Sequence, residues 1–218
     1  MHGERRELGP PRGMSVVSLL LLVNGLGFLA ELVAPGPMFR HLALWPLVEA
    51  PAALALPPGM PVGEFRSWQL LSYAFLHGSL FHLFINMFVL WMFGSPLERD
   101  WGSQRFAVYY LLCVLGAGAA QLAVVSLGTY APTVGASGGV YALLLAFGMR
   151  YPNQYILLLI PPIPMKAKYF VIVIGLVELW SGIAGTRQGV AHFAHLAGML
   201  AGLGLLLGRR RGPPPARR

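Results

Sequence analysis

Residues 75–94 read FLHGSLFHLFINMFVLWMFG. No aspartate, glutamate, lysine or arginine interrupts these 20 residues, and about 20 apolar residues are what a helix needs to cross the hydrocarbon of a bilayer. The same stretch nevertheless carries His77, His82 and Asn86. Polar side chains are expensive in lipid and persist there for a reason, so this run reads both as a membrane span and as the carrier of a site.

Working outward, the quoted stretch belongs to an apolar run at about 69–93, and others lie at about 14–34, 105–127, 136–151, 167–185 and 190–208. Of the 218 residues, 56% are hydrophobic and 11% charged, against roughly 25% charged in a soluble domain. So little charge cannot clothe a soluble globule, which excludes a cytosolic enzyme. The single cysteine, Cys113, sits in an apolar run and excludes a disulfide scaffold. Strands of alternating polarity, the mark of a membrane barrel, are absent, and lipid leaves helices as the other way to satisfy the backbone. The expectation is an all-α polytopic membrane protein: six transmembrane helices over 14–208, a cytoplasmic tail at 1–13 and a basic, disordered cytoplasmic tail at 209–218.

The net charge of +8 acquires its meaning from where the charges fall. With the N-terminus inside, 13 of the 16 basic residues lie on the cytoplasmic side and only Arg40, Arg66 and Arg187 on the other. Basic residues mark the cytoplasmic face, so the chain reads N-in and C-in, and the charge gives no ground for a nucleic-acid partner. The tail RRRGPPPARR reads as an anchor that leaves binding to anionic lipid open. The first run lacks an A-x-A site and ends at Ala34 before Pro35, which favours a span over a cleaved signal. The connection at 35–68 contains MFRHLALWPLVEAPAALAL, read as a segment in or near the outer interface.

In this topology the second, fourth and sixth spans all run inward from the outer face, and the polar groups cluster near their outer ends. These are His77, His82 and Asn86; then Gly135, Ala136, Ser137 and Gly138; then His192 and His195. His195 falls about six residues, or 9 Å, into its span. At 100° per residue His82 and Asn86 lie about 40° apart on one face, whereas His77, about 140° from His82, points elsewhere. Gly138, Ala142 and Ala146 form a small-residue stripe on the fourth span, matched by Ala194, Gly198 and Gly202 on the sixth. Such stripes let backbones approach closely in lipid, and close approach would bring Ser137 to His195. A glycine-flanked serine opening a helix presents its hydroxyl beside free backbone N–H groups, which can hold an oxyanion. Other polar residues have plainer readings. His77 and His192 read as packing residues, Cys113 as core, and Glu98 and Glu178 as ties between helices or loops.

Taken together, FLHGSLFHLFINMFVLWMFG, GASGGVY, AHFAHLAGMLAG and LERDWG resemble the rhomboid family of intramembrane serine proteases, in a bacterial six-span form. The resemblance implies a six-helix rhomboid-like bundle and a Ser137–His195 dyad without an aspartate. It implies that Tyr141 stacks on and orients His195, and that His82, Asn86 and the Ser137 N–H hold the oxyanion. Gly135, Gly138, Gly198 and Gly202 would pack the helices near the site, and His77 and Glu98 would be structural. By the same analogy the loop at Gly185–Gly189 acts as a cap and the fifth span as a gate. Trp68 is followed by Gln69 where the family often has arginine, which puts loop anchoring through that arginine in doubt.

The function implied is an intramembrane serine endopeptidase of an inner (plasma) membrane, acting in the outer half of the bilayer on single-span proteins within or near their transmembrane segments. No cofactor and no metal is expected. A non-catalytic binder of transmembrane helices on the same fold is the alternative. A metal site built from His77, His82, His192 and His195 is a third reading, weakened by the phase of His77. Substrate identity and oligomeric state are not written in the sequence.

Overall fold

The structure, a computed structural model, describes residues 13–48, 62–126, 131–157, 163–184 and 191–209. The expected cap at 185–189, most of both tails and the middle of the first long connection lie outside the described residues. The helices are α1 (Val16–Val33), α2 (Pro35–Leu42), α3 (Gln69–Ser72), α4 (Leu80–Val89), α5 (Ser95–Trp101), α6 (Ser103–Val125), α7 (Ser137–Arg150), α8 (Ala167–Ala184) and α9 (His192–Arg209). A π turn at Leu90–Gly94 joins α4 to α5. A short antiparallel hairpin, β1 (Tyr155–Leu157) with β2 (Pro164–Lys166), pairs Tyr155 with Lys166 between α7 and α8. Apart from this hairpin, the described residues form an all-α membrane bundle.

Among the described residues, four helical stretches are long and apolar enough to cross a membrane: Val16–Val33, Leu80–Trp101, Ser103–Val125 and Ala167–Ala184. Two of the six expected spans fall short of that length, α7 with 14 residues and the apolar part of α9, His192–Gly208. At 1.5 Å per residue α7 is about 21 Å long, less than the roughly 30 Å of hydrocarbon. It survives because it is sheathed by protein, with residues on every side buried, among them Val140, Leu143, Leu144 and Phe147. An apolar helix buried all round is a core helix, and α6, α8 and α9 surround it.

The second span differs from expectation at its start. Residues 69–75 form α3 and a 3-10 turn, Leu76 is extended, and the long helix begins only at Leu80 with the Ser79 hydroxyl accepting from the His82 N–H. His77 therefore precedes the helix rather than riding on it. The first connection also differs. Ala43, Leu44 and Trp45 are fully buried, and Leu44 exchanges both backbone hydrogen bonds with Thr133 at 3.0 and 2.9 Å, so this part is inserted into the bundle rather than laid on an interface. Gln69 anchors it. Its Oε1 accepts from the Trp45 and Arg66 N–H groups at 3.2 Å each, and its Nε2 donates to the carbonyls of Glu64 and His41 at 3.0 and 3.4 Å. A buried glutamine thus holds the loop for which arginine seemed needed.

At the far end Glu98 closes the bundle. Its carboxylate accepts from the Val16 and Val17 N–H groups at 2.7 and 2.9 Å and from the Ser103 hydroxyl at 2.6 Å. The first N–H groups of a helix lack partners within it, so Glu98 caps α1 from the α5–α6 corner. Cys113 is buried in the core.

Candidate active site

Ser137 opens α7, and no side chain caps that helix. The first intrahelical bond runs from Val140 N–H to the Ala136 carbonyl, which leaves the N–H groups of Ser137, Gly138 and Gly139 without acceptors inside the helix. The chain enters through Gly135 at φ +125°, a conformation that side chains rarely adopt. A Cβ there would lie 2.7 and 2.9 Å from Cε1 and Nε2 of His82 and 3.7 Å from the Ser137 Oγ. The His82 ring is thus laid over the Gly135 backbone, beside the serine.

Helices α7 and α9 touch backbone to backbone. A Cβ on Gly198 would fall 2.0 Å from the Gly138 carbonyl oxygen, and one on Gly202 would meet the Tyr109 hydroxyl at 2.3 Å and Ala142 at 3.2 Å. Gly138 faces Ala117 of α6, which a Cβ would approach to 2.4 Å. The small-residue stripes read in the sequence are where these helices cross. The consequence is local: His195 Nε2 lies 2.7 Å from Ser137 Oγ. The Tyr141 ring stacks on His195 with centroids 4.3 Å apart and planes 7° from parallel.

Behind His195 stands Glu178 of α8. Its Oε2 is 2.6 Å from His192 Nδ1 and 3.0 Å from His195 Nδ1, and its Oε1 accepts from the Tyr141 hydroxyl. Sequence reading treated Glu178 as a tie and His192 as packing, and both prove to adjoin the serine–histidine pair. A carboxylate in the middle of an apolar span was the signal available.

His82 and Asn86 share a face of α4, and Asn86 Nδ2 donates to the His82 carbonyl at 2.9 Å. The phase argument for His77 fails, because that residue is not helical. Its ring meets His82 edge-on at 5.0 Å, and its N–H donates to Glu31 Oε1 at 2.7 Å. The four histidines do not converge: His77 pairs with His82, and His192 with His195 at 6.4 Å. Among the described residues, Glu178, His192 and His195 form a group with donor atoms within 4.8 Å of one another. Their 2.6 and 3.0 Å separations are those of hydrogen-bonding and ion-pair contacts, since zinc ligands at about 2.0–2.1 Å in a tetrahedron stand about 3.3 Å apart.

The Rhomboid domain family matches residues 64–211, which takes in Ser137, His195, Tyr141, His82, Asn86, Glu178 and His192. The chain belongs to the rhomboid family. Within the family it is 35% identical over 139 residues to "Rhomboid protease GlpG" of Serratia proteamaculans, covering 62% of this chain and 46% of that protein. It is 30% identical over 151 residues to the human "Presenilin-associated rhomboid-like protein, mitochondrial", covering 66% and 38%. It is 33% identical over 144 residues to human "Rhomboid-related protein 3", covering 63% and 31%. The chain thus spans less than half the length of these relatives. As a rhomboid-family chain it is a multi-pass membrane protein, and α1 and α2 precede the matched region.

Proposed function

We propose that this rhomboid-family chain is an intramembrane serine endopeptidase that cuts single-span membrane proteins within or near their transmembrane segments. The observation that carries the reading is the 2.7 Å contact between Ser137 Oγ and His195 Nε2, a nucleophile and a base in hydrogen-bond reach. The relative whose name contains "protease" supports it.

In this reading Ser137 Oγ attacks the scissile carbonyl carbon while its proton passes to His195 Nε2, and the same nitrogen returns it to the leaving amine. Water then releases the acyl group by the same route. Charge develops on the carbonyl oxygen, and donors already in place stabilise it best. The Ser137 N–H at the α7 terminus, the His82 ring and Asn86 serve this role. Asn86 Nδ2 has a second hydrogen beyond the one given to the His82 carbonyl. Tyr141, stacked on His195, fixes the plane of the base.

The short α7 supports a serine below the membrane surface, and the distribution of basic residues supports an outer-half site in a plasma membrane with both termini inside. The loop at 185–189 and α8 take the roles of cap and gate for a substrate helix.

Purified protein in proteoliposomes is incubated with a single-span substrate and with a serine-reactive phosphonate. Cleavage and labelling are expected in the native chain and lost in Ser137→Ala. Cleavage that persists in Ser137→Ala overturns the reading. Substrate-helix binding by the native protein without any cleavage would show the non-catalytic alternative instead.

A further inference from the structure

Glu178 is an ionisable residue beside His195 with no part in the proton transfers above. It is 8% exposed, and a carboxylate withdrawn from water needs donors on its oxygens. Lysine or arginine commonly supplies them, but among the described residues its ion-pair partners are His192 and His195, both through Nδ1 and both at Oε2. The Tyr141 hydroxyl supplies Oε1.

An ionised carboxylate only accepts, and a neutral imidazole carries a single N–H. Satisfying Oε2 places the His192 hydrogen on Nδ1, and the carboxylate charge 3.0 Å from His195 Nδ1 favours a hydrogen there over a lone pair. That tautomer leaves the lone pair of His195 on Nε2, which is the atom 2.7 Å from Ser137 Oγ. His192, at 2.6 Å, makes the well-formed bond. His195 Nδ1, at 3.0 Å, sits off the hydrogen-bonding line and has no better partner among the described residues, so its tie to Glu178 is first of all one of charge.

We infer that Glu178 is a positioning residue for the Ser137–His195 pair, selecting the His195 tautomer and neutralising the imidazolium, with His192 and Tyr141 holding the carboxylate in place. This rests on the peptidase reading. As Oγ bonds to the carbonyl carbon, its proton moves to Nε2 and the ring becomes a cation with hydrogens on both nitrogens. Glu178 keeps its negative charge beside Nδ1 and takes no proton. When the C–N bond breaks, the Nε2 hydrogen leaves with the amine and the ring is neutral again. The family resemblance implied a dyad, whereas this geometry places a third, acidic member behind it.

The test compares native, Glu178→Gln, Glu178→Asp and Ser137→Ala proteins in proteoliposomes with a fluorogenic transmembrane peptide, reading kcat and KM separately. Glu178→Gln keeps the size of the side chain and can still accept from Tyr141. Its kcat is expected to fall about 100-fold or more with KM within threefold, and Glu178→Asp to recover at least tenfold of the loss. Nitrogen NMR of histidine-labelled native protein is expected to show His195 protonated at Nδ1, and this needs no variant to fold. A Glu178→Gln kcat within threefold of native, or a native His195 protonated at Nε2, overturns the inference. If cleavage persists in Ser137→Ala, the peptidase reading itself fails, a different outcome from an active Glu178→Gln beside an inactive Ser137→Ala.

Discussion

Replacing Gly198 by alanine adds one carbon at the tightest point of the site. That carbon would stand 2.0 Å from the Gly138 carbonyl oxygen, 2.8 Å from its carbonyl carbon and 3.1 Å from its Cα. All three are backbone atoms, so no side chain can swing aside. Carbon–oxygen contacts settle at about 3.3 Å, and α7 and α9 must part by about 1.3 Å to reach that distance. Carried to the side chains, this opens the 2.7 Å contact between Ser137 and His195 to about 4 Å, beyond the roughly 3.2 Å reach of a hydrogen bond. A misplacement of about 1 Å costs on the order of 100-fold in rate. The control lies on the same helix, because a Cβ on Gly204 meets nothing within 4 Å and alanine there adds helix propensity worth up to about 1 kcal/mol. Initial cleavage rates and phosphonate-labelling rates are measured in proteoliposomes for both variants, after each elutes as a single species. Gly198→Ala is expected to lose about 100-fold in both rates and Gly204→Ala to stay within twofold. A folded Gly198→Ala within threefold of native would show that the α7–α9 contact does not set the serine–histidine distance.

Other expectations follow from the same geometry. Gly135→Ala forces a side chain into a positive-φ position costing about 1–3 kcal/mol and onto the His82 ring, and kcat should fall at least tenfold with the protein still folded. Gln69→Leu removes the side-chain acceptor of the Trp45 and Arg66 N–H groups and the donor to the Glu64 carbonyl, while the His41 carbonyl keeps its bond from Trp68 Nε1. At about 1–3 kcal/mol for each buried unsatisfied group, thermal unfolding in detergent should show a loss of at least about 2 kcal/mol. Glu98→Ala removes the acceptor of the Val16 and Val17 N–H groups, with the Ser15 cap left in place, and should cost about 1–2 kcal/mol in the same unfolding measurement, while the kcat of the folded fraction stays within twofold.

The pairing of Ser137 with His195 was legible because each step used a regular period. Both residues sit near the starts of their helices, and the glycine and alanine stripes repeat every four residues on the faces that meet. His77 was misplaced because helical phase was extended across Gly78 and Ser79, where the chain is not helical; Ser79, a good N-cap residue, was the available warning. Gln69 could not be assigned a role, since its four partners come from segments up to 28 residues away whose path depends on tertiary packing. The roles of Glu178 and His192 were hidden for a related reason. The rotation of α8 against α9 is fixed by their packing, and no periodicity within one helix reports on that.

Helix α8 is the least buried of the four long apolar stretches. Its spanning window is 17% buried against 44% for α6, and Leu176, Val177 and Trp180 beside Glu178 face outward. The least buried of these four stretches therefore carries the acid nearest the base. Any outward swing that admits a substrate helix between α8 and its neighbours also draws Glu178 away from His195. Under the proposed function, entry and bond cleavage would then be successive events, and a peptide that holds the wall ajar would be bound without being cut.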